Sequence, residues 1–212
     1  MRHRLTILVA ASLLASAASA QTFTNAASLT IPTSGAASPY PSAITVAGTS
    51  GAPLSVTLFN IQHAFMQDLD IALVSPTGQA LLLFSEQGGS GQFSDATVTF
   101  ADAAPVYGTG SIFGAASIRP VGGNGSTFSG VLPGGTTFVS SFAALTGNPN
   151  GAWGLYVYDD TQIDGGSIRN GWSITFSGTT PPPTTAPEPA TLALLATGLL
   201  AVGGIARRRV TG

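Results

Sequence analysis

Apolar and polar residues alternate with period two along much of this chain. Leu54, Val56 and Leu58 face one way, with Ser55 and Thr57 opposite. Leu69, Ile71 and Leu73 alternate with Asp68, Asp70 and Ala72, and Val98 and Phe100 with Thr97 and Thr99. Trp153, Leu155 and Val157 share one face, with Tyr156 and Tyr158 on the other, and Trp172, Ile174 and Phe176 alternate with Ser173, Thr175 and Ser177. In a strand, successive side chains point to opposite faces, so each segment predicts a half-buried strand. Gly, Pro, Asn or Asp bounds each one. Ser75-Pro76-Thr77-Gly78 predicts a turn that joins two strands as a hairpin. No segment between the two ends of the chain has helical periodicity. Many short strands with regular turns predict an all-β fold, a two-sheet sandwich or jelly roll. Residues 107–135, rich in Gly and Ser, predict long loops with one or two edge strands.

The two ends follow different patterns. At the N-terminus, Arg2, His3 and Arg4 precede an apolar run over 5–14 and the small residues Ala18-Ser19-Ala20. That order predicts a signal peptide over 1–20, cleaved between Ala20 and Gln21. At the C-terminus, 179–186 is a Pro/Thr linker that favours extended polyproline II. Pro187-Glu188-Pro189 follows, then an uncharged apolar run over 190–206, then Arg207, Arg208 and Arg209. Such a run makes about 25 Å of helix, near the lower limit for spanning a bilayer. The arginines would stay on the cytoplasmic side, which leaves the rest of the chain outside.

Composition narrows the function of the region 21–178. It carries Asp68, Asp70, Glu86, Asp95, Asp102, Asp159, Asp160 and Asp164 against Arg119 and Arg169, and the chain has no lysine. A domain this acidic argues against nucleic acid and anionic lipid as partners. Cysteine is absent, so an exported domain must be held by its core or by a bound ion.

Few residues offer catalysis. The domain's one histidine, His63, has no Gly-x-Ser-x-Gly elbow to serve, and reads as a structural residue bonding a neighbouring turn. One histidine and no cysteine cannot supply the usual zinc ligands. Calcium is the stronger case. Asp68 and Asp70 on one strand face would lie about 6.5–7 Å apart. If shielded from water, they would repel by roughly 2–3 kcal/mol, which a hard cation would reverse. Asp159, Asp160 and Asp164 cluster around a turn. The alternative is that these are turn-forming aspartates in water. Trp153 and Trp172, on apolar faces, read as core residues, and Tyr156 and Tyr158 as surface residues able to stack on a sugar.

Three sets of residues carry family resemblances. The tail Pro187-Glu188-Pro189-Ala190, the apolar run with Gly198, Gly203 and Gly204, and the arginines closely resemble the PEP-CTERM sorting signal of Gram-negative bacteria. The resemblance implies recognition by an exosortase-type membrane enzyme, a transient inner-membrane anchor, and delivery to the cell surface, outer envelope or extracellular matrix. His63-x4-Asp68-Leu69-Asp70-Ile71-Ala72-Leu73-Val74-Ser75-Pro76-Thr77-Gly78 is one further motif. Asn150-Gly151-x-Trp153-x-Leu155-x-Val157-x-Asp159-x4-Asp164-x-Gly166-x-Ile168-x3-Trp172-x-Ile174-x-Phe176 is the other. Together they resemble the P, or P/homo B, domain of subtilisin-like proprotein convertases, over about 44–178. This implies a jelly-roll (galactose-binding-like) β-sandwich flanked by the signal peptide and the C-terminal transmembrane sorting helix. It extends calcium to Asp68, Asp159 and Asp164. No catalytic domain accompanies the motifs, so protease activity does not follow.

The expected function is a non-enzymatic surface or matrix protein, an adhesive or structural module that meets extracellular polysaccharide. One alternative is a stand-alone P-like domain that assists a separate secreted protease, and another is a glycan-active enzyme.

Overall fold

The computed structural model describes residues 19–121 and 127–178. The expected signal peptide up to residue 18, the linker, Pro187, Glu188, Pro189, the apolar run and the arginine tail lie outside the described residues. Among the described residues no helix is long and apolar enough to cross a membrane.

In chain order the strands are β1 (Gln21–Asn25), β2 (Leu29–Ile31), β3 (Gly35–Ala36), β4 (Ser42–Val46), β5 (Pro53–His63), β6 (Leu69–Val74) and β7 (Gln79–Phe84). They continue as β8 (Phe93–Ala101), β9 (Ile112–Ile118), β10 (Thr137–Val139), β11 (Gly151–Asp159), β12 (Gly166–Ile168) and β13 (Trp172–Phe176). Two single 3-10 turns, Met66–Asp68 and Phe142–Ala144, are the helical elements among the described residues.

The strands form two mixed sheets. In the first, β5 is central: β13 and then β1 pair on one side of its first half, and β12 and then β2 on the same side of its end. On its other side lies β8, followed by β9 in parallel. The second sheet runs β10-β7-β6-β11, with β3 and β4 pairing to β11. The turn Ser75–Gly78 closes β6 and β7 into the predicted hairpin, with Ser75 N–H donating to Gln79 O at 2.8 Å.

The core lies between the sheets, where alternation places it. Val56, Leu58, Val98, Phe100, Trp172, Ile174 and Phe176 of the first sheet meet Ile71, Leu73, Leu81, Leu83, Trp153, Leu155 and Val157 of the second. Both tryptophans are buried, as expected. Trp153 donates its indole N–H to Pro149 O at 2.8 Å, and Trp172 donates to Ser42 Oγ at 3.0 Å.

The second sheet differs from its prediction. β6 is buried at every position and β7 at all but Gln79, so neither is half-buried. Ala72, Val74, Ala80, Leu82 and Tyr156 form a second apolar cluster on the outer face of this sheet, and Tyr40, Phe128 and Leu132 pack on it. The segment 127–133, from the region expected to be loop, lies over that face as a strap. Tyr156 is therefore buried and not a surface stacking residue, whereas Tyr158 is half-buried. Asp68 also departs from the one-face pairing with Asp70. It ends the 3-10 turn before β6, while Asp70 lies within the strand and is buried.

Candidate functional site at one end of the sandwich

The first sheet's β5 and the second sheet's β11 both finish at the same end of the sandwich. Their last residues, His63 and Asp159, meet there. His63 Nε2 lies 3.0 Å from Asp159 Oδ2, and both side chains are fully buried. The pair joins the two sheets across the end of the core. The other ring nitrogen, Nδ1, lies 2.7 Å from Phe65 O. The Phe65 N–H also lies 3.3 Å from Nδ1, so that nitrogen can donate to Phe65 O or accept from Phe65 N–H, while Nε2 is engaged by the carboxylate. Asp159 Oδ1 accepts from Thr161 N–H at 3.1 Å. Each polar atom of the pair is satisfied, as burial requires. The expected bond of His63 to a neighbouring turn is present at Phe65 O, and the partner at Nε2 is Asp159.

Close backbone approach keeps the ring in place. Gly166 of β12 sits opposite His63, and a Cβ there would lie 2.0 Å from Gln62 O and 2.9 Å from His63 Cδ2. Only glycine fits.

Several other acidic residues lie near this end. Asp70 Oδ2 accepts from Ser129 N–H of the strap at 2.6 Å. Asp160 accepts from Thr161 Oγ1 at 3.1 Å through Oδ1 and from Ser129 Oγ at 3.3 Å through Oδ2, and its N–H donates to Asp68 O at 2.9 Å. Partial burial holds the Asp68 carboxyl above the usual carboxylate range, and the charges of Asp159, Asp160 and Asp164 add to this, with His63 opposing. Glu86 is pushed up in the same direction, first by desolvation and then by Asp160 and Asp70.

The structure thus brings Asp68, Asp70, Asp159 and Asp164 to one end but gives them separate tasks. Asp159 holds His63, Asp70 holds the strap, and Asp68 and Asp164 stay half-exposed. Among the described residues, no three His, Asp or Glu side chains converge on a point that could hold a metal ion. The reading of the sequence missed the His63–Asp159 bond, which joins residues 96 positions apart. The one available signal was that both residues end apolar runs.

The strap is fixed at several points. Tyr40 Oη donates to Val131 O at 2.8 Å, and Ser85 Oγ donates to Thr127 O at 3.2 Å. Burial beneath the strap pushes the Tyr40 phenol up to about 12, with Tyr156 adding to the shift. The Tyr40 and Tyr156 rings meet edge to face, 5.0 Å between centroids.

The raised Asp68 and Glu86 carboxyls predict a pH effect. A group whose folded pKa is raised contributes stability below its unfolded value, about 4, and loses it as pH rises through the folded value. Asp68→Asn removes this loss. The variant should melt higher than the parent at neutral pH, and the gap should close as pH falls towards about 4. A gap that is constant with pH in thermal unfolding would contradict the electrostatic origin.

No curated protein matches the chain. Residues 54–111, from β5 to just before β9, match the proprotein convertase P-domain. Residues 185–209 match the PEP-CTERM protein-sorting motif, which implies an exported, envelope-associated protein processed by an exosortase-type system. The chain therefore joins a β-sandwich resembling the P-domain over β5 to β8 to a PEP-CTERM sorting tail.

Proposed function

We propose that this protein is a non-enzymatic module of the cell surface or extracellular matrix, and that its β-sandwich is the part that acts after sorting. The observation that carries this reading is the sorting motif behind a compact all-β domain. The engagement of His63 at both ring nitrogens supports a structural rather than catalytic role, because it leaves no free nitrogen to take a proton from a nucleophile. In the native cells, the parent should fractionate with the outer envelope or extracellular polymer. A variant with Pro187, Glu188 and Pro189 all replaced by alanine should stay with the inner membrane. Identical distribution of the two would overturn the reading.

The P-domain match favours a second reading, in which the protein assists a separate secreted subtilisin-like protease. A longer half-life of such a protease at elevated temperature when the protein is added would support it.

Calcium, bound weakly at the acidic end, is the ion that goes with either reading. The donors there are hard oxygens, and partial burial, with neighbouring carboxylate charge adding to it, holds two carboxyls above their usual range. As arranged, the end is not a finished cage, since Asp159 and Asp70 are committed to His63 and Ser129. Binding would recruit Asp68 and Asp164 with backbone carbonyls, at an affinity of about 10⁻⁴–10⁻³ M. Melting in millimolar calcium should then exceed melting in EDTA, and Asp68→Asn should lose the difference. Equal melting in both solutions removes calcium from the account.

A further inference from the structure

The outer face of the first sheet carries a pattern that neither function reading uses. Residues with inward neighbours in the core leave the alternate positions of β1, β13, β5, β8 and β9 facing out. Register aligns them into a row. Thr24 pairs with Ser173, Ser173 with Thr57, Thr57 with Thr99, and Thr99 with Ser117. Five adjacent strands thus place five hydroxyl side chains side by side. A second row, two residues along, reads Thr22, Thr175, Ser55 and Ala101. Ser173 is buried, and the others stand partly or fully exposed.

Strand spacing sets the dimensions. Neighbouring strands lie about 4.8 Å apart, and alternate residues along a strand about 6.7 Å, so the longer row spans roughly 19 Å. Each row holds one cross-strand hydroxyl pair: Thr57 Oγ1 to Thr99 Oγ1 at 3.0 Å in the longer, and Thr22 Oγ1 to Thr175 Oγ1 at 3.0 Å in the second. A hydroxyl has one donor and two acceptor sites, so each keeps capacity for an outside partner. Neither row contains a charged residue, although carboxylates far outnumber cations in the domain.

We propose that this face binds a neutral polysaccharide chain, lying across the strands along the hydroxyl rows. The proposal rests on the reading of the protein as a surface or matrix module, and it names that module's partner. Three observations select this occupant. Neutral rows give an anionic polymer no attraction, and the domain's excess of carboxylates over cations disfavours its approach. Sugar hydroxyls both donate and accept, which matches what the rows offer. A sheet also twists by about 20–25° per strand, which a flexible chain can follow and a rigid planar lattice such as ice cannot. Phe113 of β9, four residues before Ser117 and so about 13 Å along the strand from the longer row, is exposed and offers an apolar surface for a sugar ring further along the chain.

The test is co-sedimentation of the purified full chain, in mild detergent, with amorphous regenerated cellulose, with alginate gel as the anionic polymer, and with ice by partition. A variant carrying Thr24→Val, Thr57→Val, Thr99→Val and Thr175→Val keeps the β-branched shape and removes the hydroxyls. The parent should bind cellulose and not alginate, and the variant should bind at least about tenfold more weakly with its melting temperature preserved. Equal binding by parent and variant, no binding of cellulose by the parent, a preference for alginate, or partition into ice would each overturn the proposal. So would a dimer in sedimentation velocity that the four substitutions dissolve, since the face would then serve self-association. Localisation of the chain, read separately by fractionation, decides whether the module reading fails as well.

Discussion

Replacing His63 with leucine will lower the unfolding free energy by about 3–5 kcal/mol, because it leaves the Asp159 carboxylate buried without its partner. For a domain of this size that is a drop of roughly 10 °C or more in melting temperature. Asp159→Leu should cost a similar amount, since it strands the ring nitrogen and also the Thr161 N–H. Asp159→Asn should behave differently. The amide can donate to Nε2 of a neutral ring that keeps its proton on Nδ1 for Phe65 O, while its oxygen still accepts from Thr161. The loss should then stay below about 1 kcal/mol. Thermal and denaturant unfolding of the three variants separates the cases. Equal losses for Asp159→Asn and His63→Leu would mean that charge, not hydrogen-bond complementarity, ties the sheets together at this end.

Gly130→Val should produce the second large effect, by lifting the strap. A Cβ at this position would lie 2.5 Å from Tyr40 Oη, 2.9 Å from Phe128 Cε1 and 2.9 Å from Tyr158 Cδ2. Three aromatic side chains cannot all withdraw, so the segment 127–133 must move. Moving it uncovers the cluster around Ala72, Val74, Leu82 and Tyr156, and it takes the Ser129 N–H away from the buried Asp70. Overpacking and the lost hydrogen bond together cost about 3 kcal/mol. The readout that distinguishes a lifted strap from general destabilisation is Tyr40. In the parent its phenol ionises only near 12, and stability is lost between the ordinary value of 10.0 and that point as pH rises. In the variant, ultraviolet titration of the folded protein should find the phenol closer to its ordinary value, with faster hydrogen exchange in β6 and β7. A Tyr40 titration unchanged from the parent would show that the strap stays seated.

Both effects arise where the sequence could be read only in part. The runs ending in His63 and Asp159 were legible as strands, and the inward faces at Val56, Leu58, Leu155 and Val157 are as alternation predicts. The pairing of His63 with Asp159 was not legible. It depends on β5 and β11, in different sheets, ending at the same end of the sandwich. Likewise, Tyr156 alternates with core residues and so reads as a surface position. A period of two assigns a side chain to a face but does not say what covers that face. The strap over β6, β7 and β11 comes from a segment whose glycines and serines carry no period, so its packing could not be inferred from pattern.

By itself the sequence determined the central strands β5, β6, β7, β8, β11 and β13, the inward faces of most of them, the hairpin at Ser75–Gly78, and the sorting tail at 185–209. These follow from neighbours along the chain: alternation, turn residues, and an ordered run of proline, apolar and basic positions. The tertiary structure alone decided the burial of the second sheet on both faces, the partner of His63, and the alignment of Thr24, Ser173, Thr57, Thr99 and Ser117 into one row. Those depend on cross-strand register between segments far apart in sequence. A shift of one residue in any strand would turn its hydroxyls inward, so register is fixed by the burial of the core face and not by the hydroxyls that it happens to align.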